Sequence, residues 1–175
     1  MKAIFTLSFA FVTLFITNIS YALGHKGHQL VCEIAYQQLP TQQQQHINTL
    51  LGELPLSDKT AINRYLHRPL NEDISFAKSC TWADAIKREP EYKLMSSWHY
   101  INVTRDDQHV EPSDCIKNWI TRAIDIHQQQ LVSADNKIDQ AKALMFLGHW
   151  LGDIHQPMHV NYKSDRGGNH CAGLL

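Results

Sequence analysis

An all-α domain is what the 175-residue sequence predicts, and three observations carry the prediction. Apolar residues recur at three- and four-residue spacing over long stretches, which is the helical period. Alternating apolar and polar runs, the mark of a half-buried strand, are scarce. Prolines at 40, 112 and 157 stand where the helical patterns stop or start.

The chain opens with Lys2, an apolar run over residues 3–16 and the small-x-small triplet Ser20-Tyr21-Ala22. That is the layout of a secretory signal, so residues 1–22 are expected to be cleaved near Ala22, leaving a secreted or periplasmic product. The remaining domain, 23–175, shows no repeat, linker or composition break, and its length suffices for one core. Beyond the signal no run approaches the roughly 18 apolar residues of a membrane span. Formal charge at pH 7 is -1, and loss of Lys2 makes it -2. Bulk charge therefore draws the protein neither to nucleic acid nor to an anionic membrane, and a phosphate-bearing substrate needs a local site.

Five helices follow in order. The first, 27–39, sets Leu30, Val31, Ile34, Ala35 and Leu39 on one side and ends at Pro40. Two shorter ones, 42–52 and 58–68, carry Leu and Ile stripes, the former opened by "TQQQQH". Pro112, in a first turn after Glu111, starts a long amphipathic helix through Ile116, Ile120, Ala123, Ile124, His127 and Leu131. The last, 136–156, stripes Leu144, Leu147, Leu151 and Ile154, with Met145, Gly148 and Gly152 beside them. So apolar a circumference predicts burial.

That last helix ends in "HWLGDIHQPMH" (149–159), three imidazoles and a carboxylate in an apolar setting. His149 and Asp153, four residues apart, lie on one arc and can present a nitrogen and an oxygen to one point. His155 points about 200° away from Asp153. Pro157 breaks the helix and lets His159 return from a turn. A helical pair, a break and a further His is how one segment gathers metal donors. The competing reading is a wet helix face, since Lys142 shares the arc, with a surface His-Asp pair worth little. Other polar residues stand in apolar settings: Asp84 in "CTWADAI", His99 in "SSWHYINV" and His28 at the start of the first helix. Singly they read as a cap carboxylate, a core imidazole and a solvated imidazole. Eleven His in one exported chain favour metal. Four cysteines without Cys-x-x-Cys spacing suit disulfides, with three pairings open.

In order, the chain carries "LGHKGH" (23–28), "TWAD" (81–84), "WHYIN" (98–102), "HWLGDIHQPMH" and "GGN" (167–169). Together these resemble the S1/P1 nucleases, zinc-dependent enzymes of the phospholipase C/P1 nuclease superfamily. The resemblance implies a multi-helix domain with three Zn2+ ions. Carried over motif by motif, one zinc takes Asp84, His99, His149 and Asp153. Another takes the α-amine and carbonyl of Leu23 with His28 and the shared Asp153, and the remaining one takes His159. Asp153 and Asn169 are the implied catalytic residues, Asn169 as a phosphate contact. Lys87, one turn beyond Asp84, reads either as a balance for transition-state charge or as an ordinary surface lysine.

The implied activity is that of an exported endonuclease hydrolysing single-stranded DNA or RNA, and 3'-nucleotides, by attack of a zinc-bound hydroxide. No membrane and no protein partner are implied. A Cys32–Cys80 bond is implied as well, with Cys115 and Cys171 left over. Leu23 stands where the family has Trp, and Asn102 where many members have Asp. The family's "NLHxxWD" segment, which completes the zinc at the His159 position, has no counterpart before Leu175. A C-terminally truncated member is therefore expected, incomplete at His159. The alternatives are a zinc-binding remnant that cleaves nothing and a zinc phospholipase C.

Overall fold

The computed structural model describes residues 24–106, 119–162 and 164. The signal segment 1–22, Leu23, the start of the helix at Pro112, Asn169, Cys115 and Cys171 lie outside these residues.

Seven α-helices are described: α1 (His25–Gln38), α2 (Thr41–Gly52), α3 (Leu56–Tyr65), α4 (Phe76–Ser79), α5 (Trp82–Ile86), α6 (Trp119–Ser133) and α7 (Lys137–Ile154). A 3-10 helix, Pro90–Ser97, follows α5, and another, Pro157–His159, follows α7. Pro40 and Pro55 stand as the residues before α2 and α3, fixed in extended geometry with ψ of 149° and 148°. At the start of α7 the Asn136 carboxamide oxygen accepts from the Asp139 amide at 2.9 Å, filling one of the orphan donors of a first turn.

The expected helix over 58–68 closes at Tyr65 instead. Asn63 turns its amide into the following loop, donating to the carbonyls of Leu70 at 3.3 Å and Glu72 at 2.8 Å. His67 takes a positive φ of 54°, a left-handed conformation that ends helical propagation.

α7 is the axis of the fold. It packs against α6 along its length and against α1, α2 and α5 elsewhere, while α1 and α2 also rest on α4 and α3 rests on α5. The core runs from Leu50 and Ile62 through Trp82, Phe146 and Trp150 to Ile120 and Ala123. Phe146 stacks on Trp150 at 5.5 Å and 9°, and tilts against Trp82 at 4.8 Å. Among the described residues no helix is long and apolar enough to cross a membrane.

Two expected faces are turned. On α1 the buried residues are His28 and Cys32, while Leu30 and Ile34 stand 60% and 54% exposed. On α7 His149 and Asp153 are 0% and 1% exposed, and Leu151 on the expected apolar stripe is 39% exposed. The wet-face reading therefore fails. Lys142, which shares that arc, pairs with Asp58 at 3.4 Å and lies over the Trp82 ring at 5.6 Å, roofing the core with its stem.

One reason for both rotations is covalent. Cys32 on α1 is bonded to Cys80, between α4 and α5, as the resemblance implied. The bridge lies against Gly148 of α7, where a Cβ would come 2.5 Å from Cys80 Sγ and 2.9 Å from Cys32 Sγ. Only a bare backbone admits the two sulfurs, so α1 must present its thiol face to α7. Closing the 48-residue separation removes on the order of 4 kcal/mol of unfolded-chain freedom on the chain-entropy picture.

Two three-residue strands are also described: β1 (Ile101–Val103) and β2 (Val160–Tyr162), paired in parallel with Ile101 opposite Val160. Strands this short carry no alternation to read.

Gly148→Ala should cost about 1–3 kcal/mol through overpacking against the bridge. Urea unfolding measures this, and an unchanged midpoint would contradict the packing described.

Candidate metal centre

The polar arc of α7 faces α1 on one side and the segment before β1 on the other. His28 lies one turn before Cys32, so the bridge that seats α1 also seats this imidazole, which stacks on His149 with centroids 3.9 Å apart. His99 follows the 3-10 helix and precedes β1 by two residues, while His159 immediately precedes β2. Pairing of the strands from Ile101 and Val160 onward brings these two imidazole-bearing residues to one end of the ladder. There His159 Nδ1 donates to the His99 carbonyl. Asp84 comes from α5, in the turn after the Cys80 anchor.

At the centre is Asp153. Its Oδ2 lies 2.8 Å from His99 Nδ1 and 3.1 Å from His149 Nε2, and those two nitrogens are themselves 3.1 Å apart. Its Oδ1 lies 3.2 Å from His28 Nε2 and 3.3 Å from His159 Nδ1. Two donor groups result: His28, His149 and Asp153 offer atoms within 4.8 Å of one another, and so do Asp84, His99 and His149. His155 is exposed and bonds the Leu151 carbonyl on its own helix.

Tautomers follow from the second layer of bonds. His149 Nδ1 is 2.7 Å from the carbonyl of Cys80, a contact in which only the N–H can donate. In the neutral ring Nε2 is then the electron-pair atom, and it faces Asp153 and His99. By the same logic His159, its Nδ1 engaged by a carbonyl, offers Nε2. A ring held through one nitrogen by a backbone carbonyl and bare at the other is the usual state of a metal-ligating imidazole.

The spacing tests whether a cation fits. Ligands on a tetrahedral zinc with bonds of about 2.0–2.1 Å stand roughly 3.3 Å apart. Edges of 2.8, 3.1, 3.1 and 3.2 Å among imidazole nitrogens and Asp153 oxygens are close to that separation. His28 Nε2 is near enough to Asp153 Oδ1 for an ion pair but lacks hydrogen-bond alignment, and Oδ1 and His28 Nδ1 are both buried without a hydrogen-bond partner. A buried carboxylate oxygen that faces imidazole nitrogens without bonding them is expensive unless positive charge sits beside it. The residues present fit a nitrogen- and oxygen-ligated cation such as Zn2+.

Electrostatics agree. Burial pushes the Asp153 carboxyl up, but in the metal-free protein a protonated His149 and the imidazoles that can then donate to the carboxylate outweigh it and hold the group far below the ordinary carboxylate range. For Asp84 burial likewise acts upward, and His149, Lys87 and His99 overcome it, so its pKa also falls. Lys87 Nζ bonds Asp84 Oδ1 at 2.9 Å while remaining 42% exposed, which makes it a rim cation tied to the site. On the other oxygen, the Tyr65 hydroxyl donates to Asp84 Oδ2 at 3.2 Å. Burial, then the charge of Asp84 and the bond to it, raise that phenol and keep it a donor.

With the donor geometry in hand, comparison with known proteins identifies the lineage. Residues 23–173 match the S1/P1 Nuclease family. The chain belongs to the S1/P1 nuclease family. Among similar proteins, Endonuclease 5 of Arabidopsis thaliana is 35% identical over 159 residues, covering 83% of this chain and 48% of that protein. Endonuclease 4 of the same plant is 32% identical over 169 residues, 87% of this chain and 50% of that protein. Nuclease S1 of Aspergillus oryzae is 27% identical over 166 residues, 90% and 50% respectively. The chain thus spans about half the length of the curated relatives it matches.

Of the residues singled out from sequence, the structure gathers His28, His99, His149, His159 and Asp153, with Asp84 beside them; Leu23 and Asn169 lie outside the described residues. Asn102 lies in β1 opposite Asn161. Two participants escaped sequence reasoning. Tyr65 reaches Asp84 from another helix, 19 residues away. The Cys80 carbonyl is a backbone group with no residue-type signature at all.

A depressed carboxylate pKa means that ionised Asp153 stabilises the folded state above about pH 4, the stabilisation draining as pH falls through the lower folded value. Carboxyl NMR titration of the metal-free protein should find Asp153 still ionised where exposed Asp is protonated. A midpoint near 4 or above would contradict this electrostatic account.

Proposed function

We propose that this chain holds a zinc cluster on Asp153 and its surrounding imidazoles and is an exported phosphodiesterase acting on single-stranded DNA or RNA, with 3'-nucleotides as a further substrate class. The observation that carries the reading is the set of separations of 2.8, 3.1 and 3.1 Å among Asp153 Oδ2, His99 Nδ1 and His149 Nε2, spaced as ligands of one ion are spaced. In this reading Asp84, His99, His149 and Asp153 hold one zinc. Leu23, through its amine and carbonyl, joins His28 and Asp153 on another, and His159 offers Nε2 to a third.

Zinc so held supplies Lewis acidity and a nucleophile at neutral pH. The chain's own residues do the rest. Asp153 is the shared carboxylate whose burial keeps the ligands at fixed separation. The Cys80 carbonyl holds His149 in the ligating tautomer, and the His99 carbonyl does the same for His159. Lys87, half out in solvent beside Asp84, presents positive charge to an arriving phosphate. Asn169 is assigned as a further phosphate contact by the resemblance of Gly167-Gly168-Asn169 to the family's motif.

A second reading, a zinc-binding chain that cleaves nothing, draws support from His159. Among the described residues it joins none of the groups of three potential donors. Purified protein assayed on single-stranded DNA, RNA and a choline phospholipid, with zinc content measured on the same sample, separates the readings. Bound zinc with cleaved nucleic acid supports the nuclease, bound zinc without cleavage supports the second reading, and no zinc overturns both.

His149→Ala and Asp153→Ala should each lose at least one zinc, because each removes a donor from the shared carboxylate site. Unchanged stoichiometry by atomic absorption would overturn the ligand assignment. Activity should also fall in acid as donors are protonated, so a flat profile down to about pH 4 would contradict metal dependence.

A further inference from the structure

The Asp84 carboxylate is gripped from two sides by unlike partners. Lys87, three residues on along the same segment, holds Oδ1 with a side chain that stays 42% exposed and free to turn elsewhere. Tyr65 holds Oδ2 from α3, an element that packs on α5. Its ring is half-buried, with the exposed His25 edge-on at 6.3 Å near the start of α1.

A carboxylate that ligates through one lone pair still rotates about its Cβ–Cγ bond, and rotation carries the ligating oxygen off the metal. Two groups can stop that rotation. The lysine is local and solvated, so its hold is worn down by water and by any phosphate that competes for the ammonium. The phenol is directional, uncharged and delivered by a neighbouring helix, so its hold persists.

On the zinc reading above, we infer that Tyr65 is a positioning residue: its hydroxyl fixes the rotation of Asp84 so that the carboxylate presents a lone pair toward His99 and His149. It need not touch the ion or the substrate to do so. Bonds of this kind to ligating carboxylates are typically worth about 10–100-fold in metal affinity.

The experiment is a zinc titration of the purified protein in competition with a chromophoric chelator. Wild type, Tyr65→Phe, Asp84→Asn and the double variant are compared, with circular dichroism on each. Tyr36→Phe is the control, since it deletes a hydroxyl whose bond, to Asn48 at 2.8 Å, lies away from the cluster. Expected is a loss of about 10–100-fold in affinity at one zinc for Tyr65→Phe, none for Tyr36→Phe, and no added loss when Tyr65→Phe enters the Asp84→Asn background. Wild-type affinity in Tyr65→Phe overturns the inference while leaving the zinc reading intact. An equal loss in the Asp84→Asn background overturns it too, because the phenol would then act by another route. Failure of the wild type to bind zinc overturns the zinc reading and this inference together.

Discussion

One carboxylate organises this protein. Asp153 is buried, ionised and surrounded by four imidazoles, two at each oxygen, drawn from α1, from the segment before β1, from α7 and from the turn after it. A charge placed so deep is costly to bury unless opposite charge and aligned donors answer it. Three devices hold the four segments: the Cys32–Cys80 bridge for α1, the β1–β2 ladder for both His99 and His159, and α7 itself for His149. The architecture makes sense as a set of independent supports converging on one point. Failure of any one would leave a buried charge incompletely answered, which ties the stability of the domain to the integrity of the site.

The family relationship extends this picture. The match covers nearly the whole chain, yet the chain covers about half of its relatives. His28, Asp84, His99, His149, Asp153 and His159 all lie within that half.

Helix existence was legible in the sequence because long, strongly periodic segments leave little ambiguity; which way two of them face was not. On α1 the wheel put Leu30 and Ile34 inside, and on α7 it put Leu151 on the core stripe. Both errors have the same cause. Hydrophobic periodicity assumes that apolar burial sets the rotation, whereas here a disulfide and converging metal-type donors set it, at a cost in exposed leucine and isoleucine. Of the residues the structure gathers, His149 and Asp153 were legible from their helical spacing, whereas His28, Asp84 and His99 stood out only through the resemblance of their motifs to a family. Tyr65 and the Cys80 carbonyl were not legible, because support for a ligand is a matter of three-dimensional proximity and leaves no interval behind. The short strands were invisible for a simpler reason: three residues cannot display a two-residue period.

The glycine at 148 binds together three places in the chain that share no local sequence. While the two sulfurs remain joined beneath α7, any side chain at position 148 must displace them; were the cystine lost, the room it vacates would admit a methyl or larger group. Substitution at residues 32, 80 and 148 is thus a single decision for an evolving or engineered lineage, and a replacement harmless in one background is a steric fault in another.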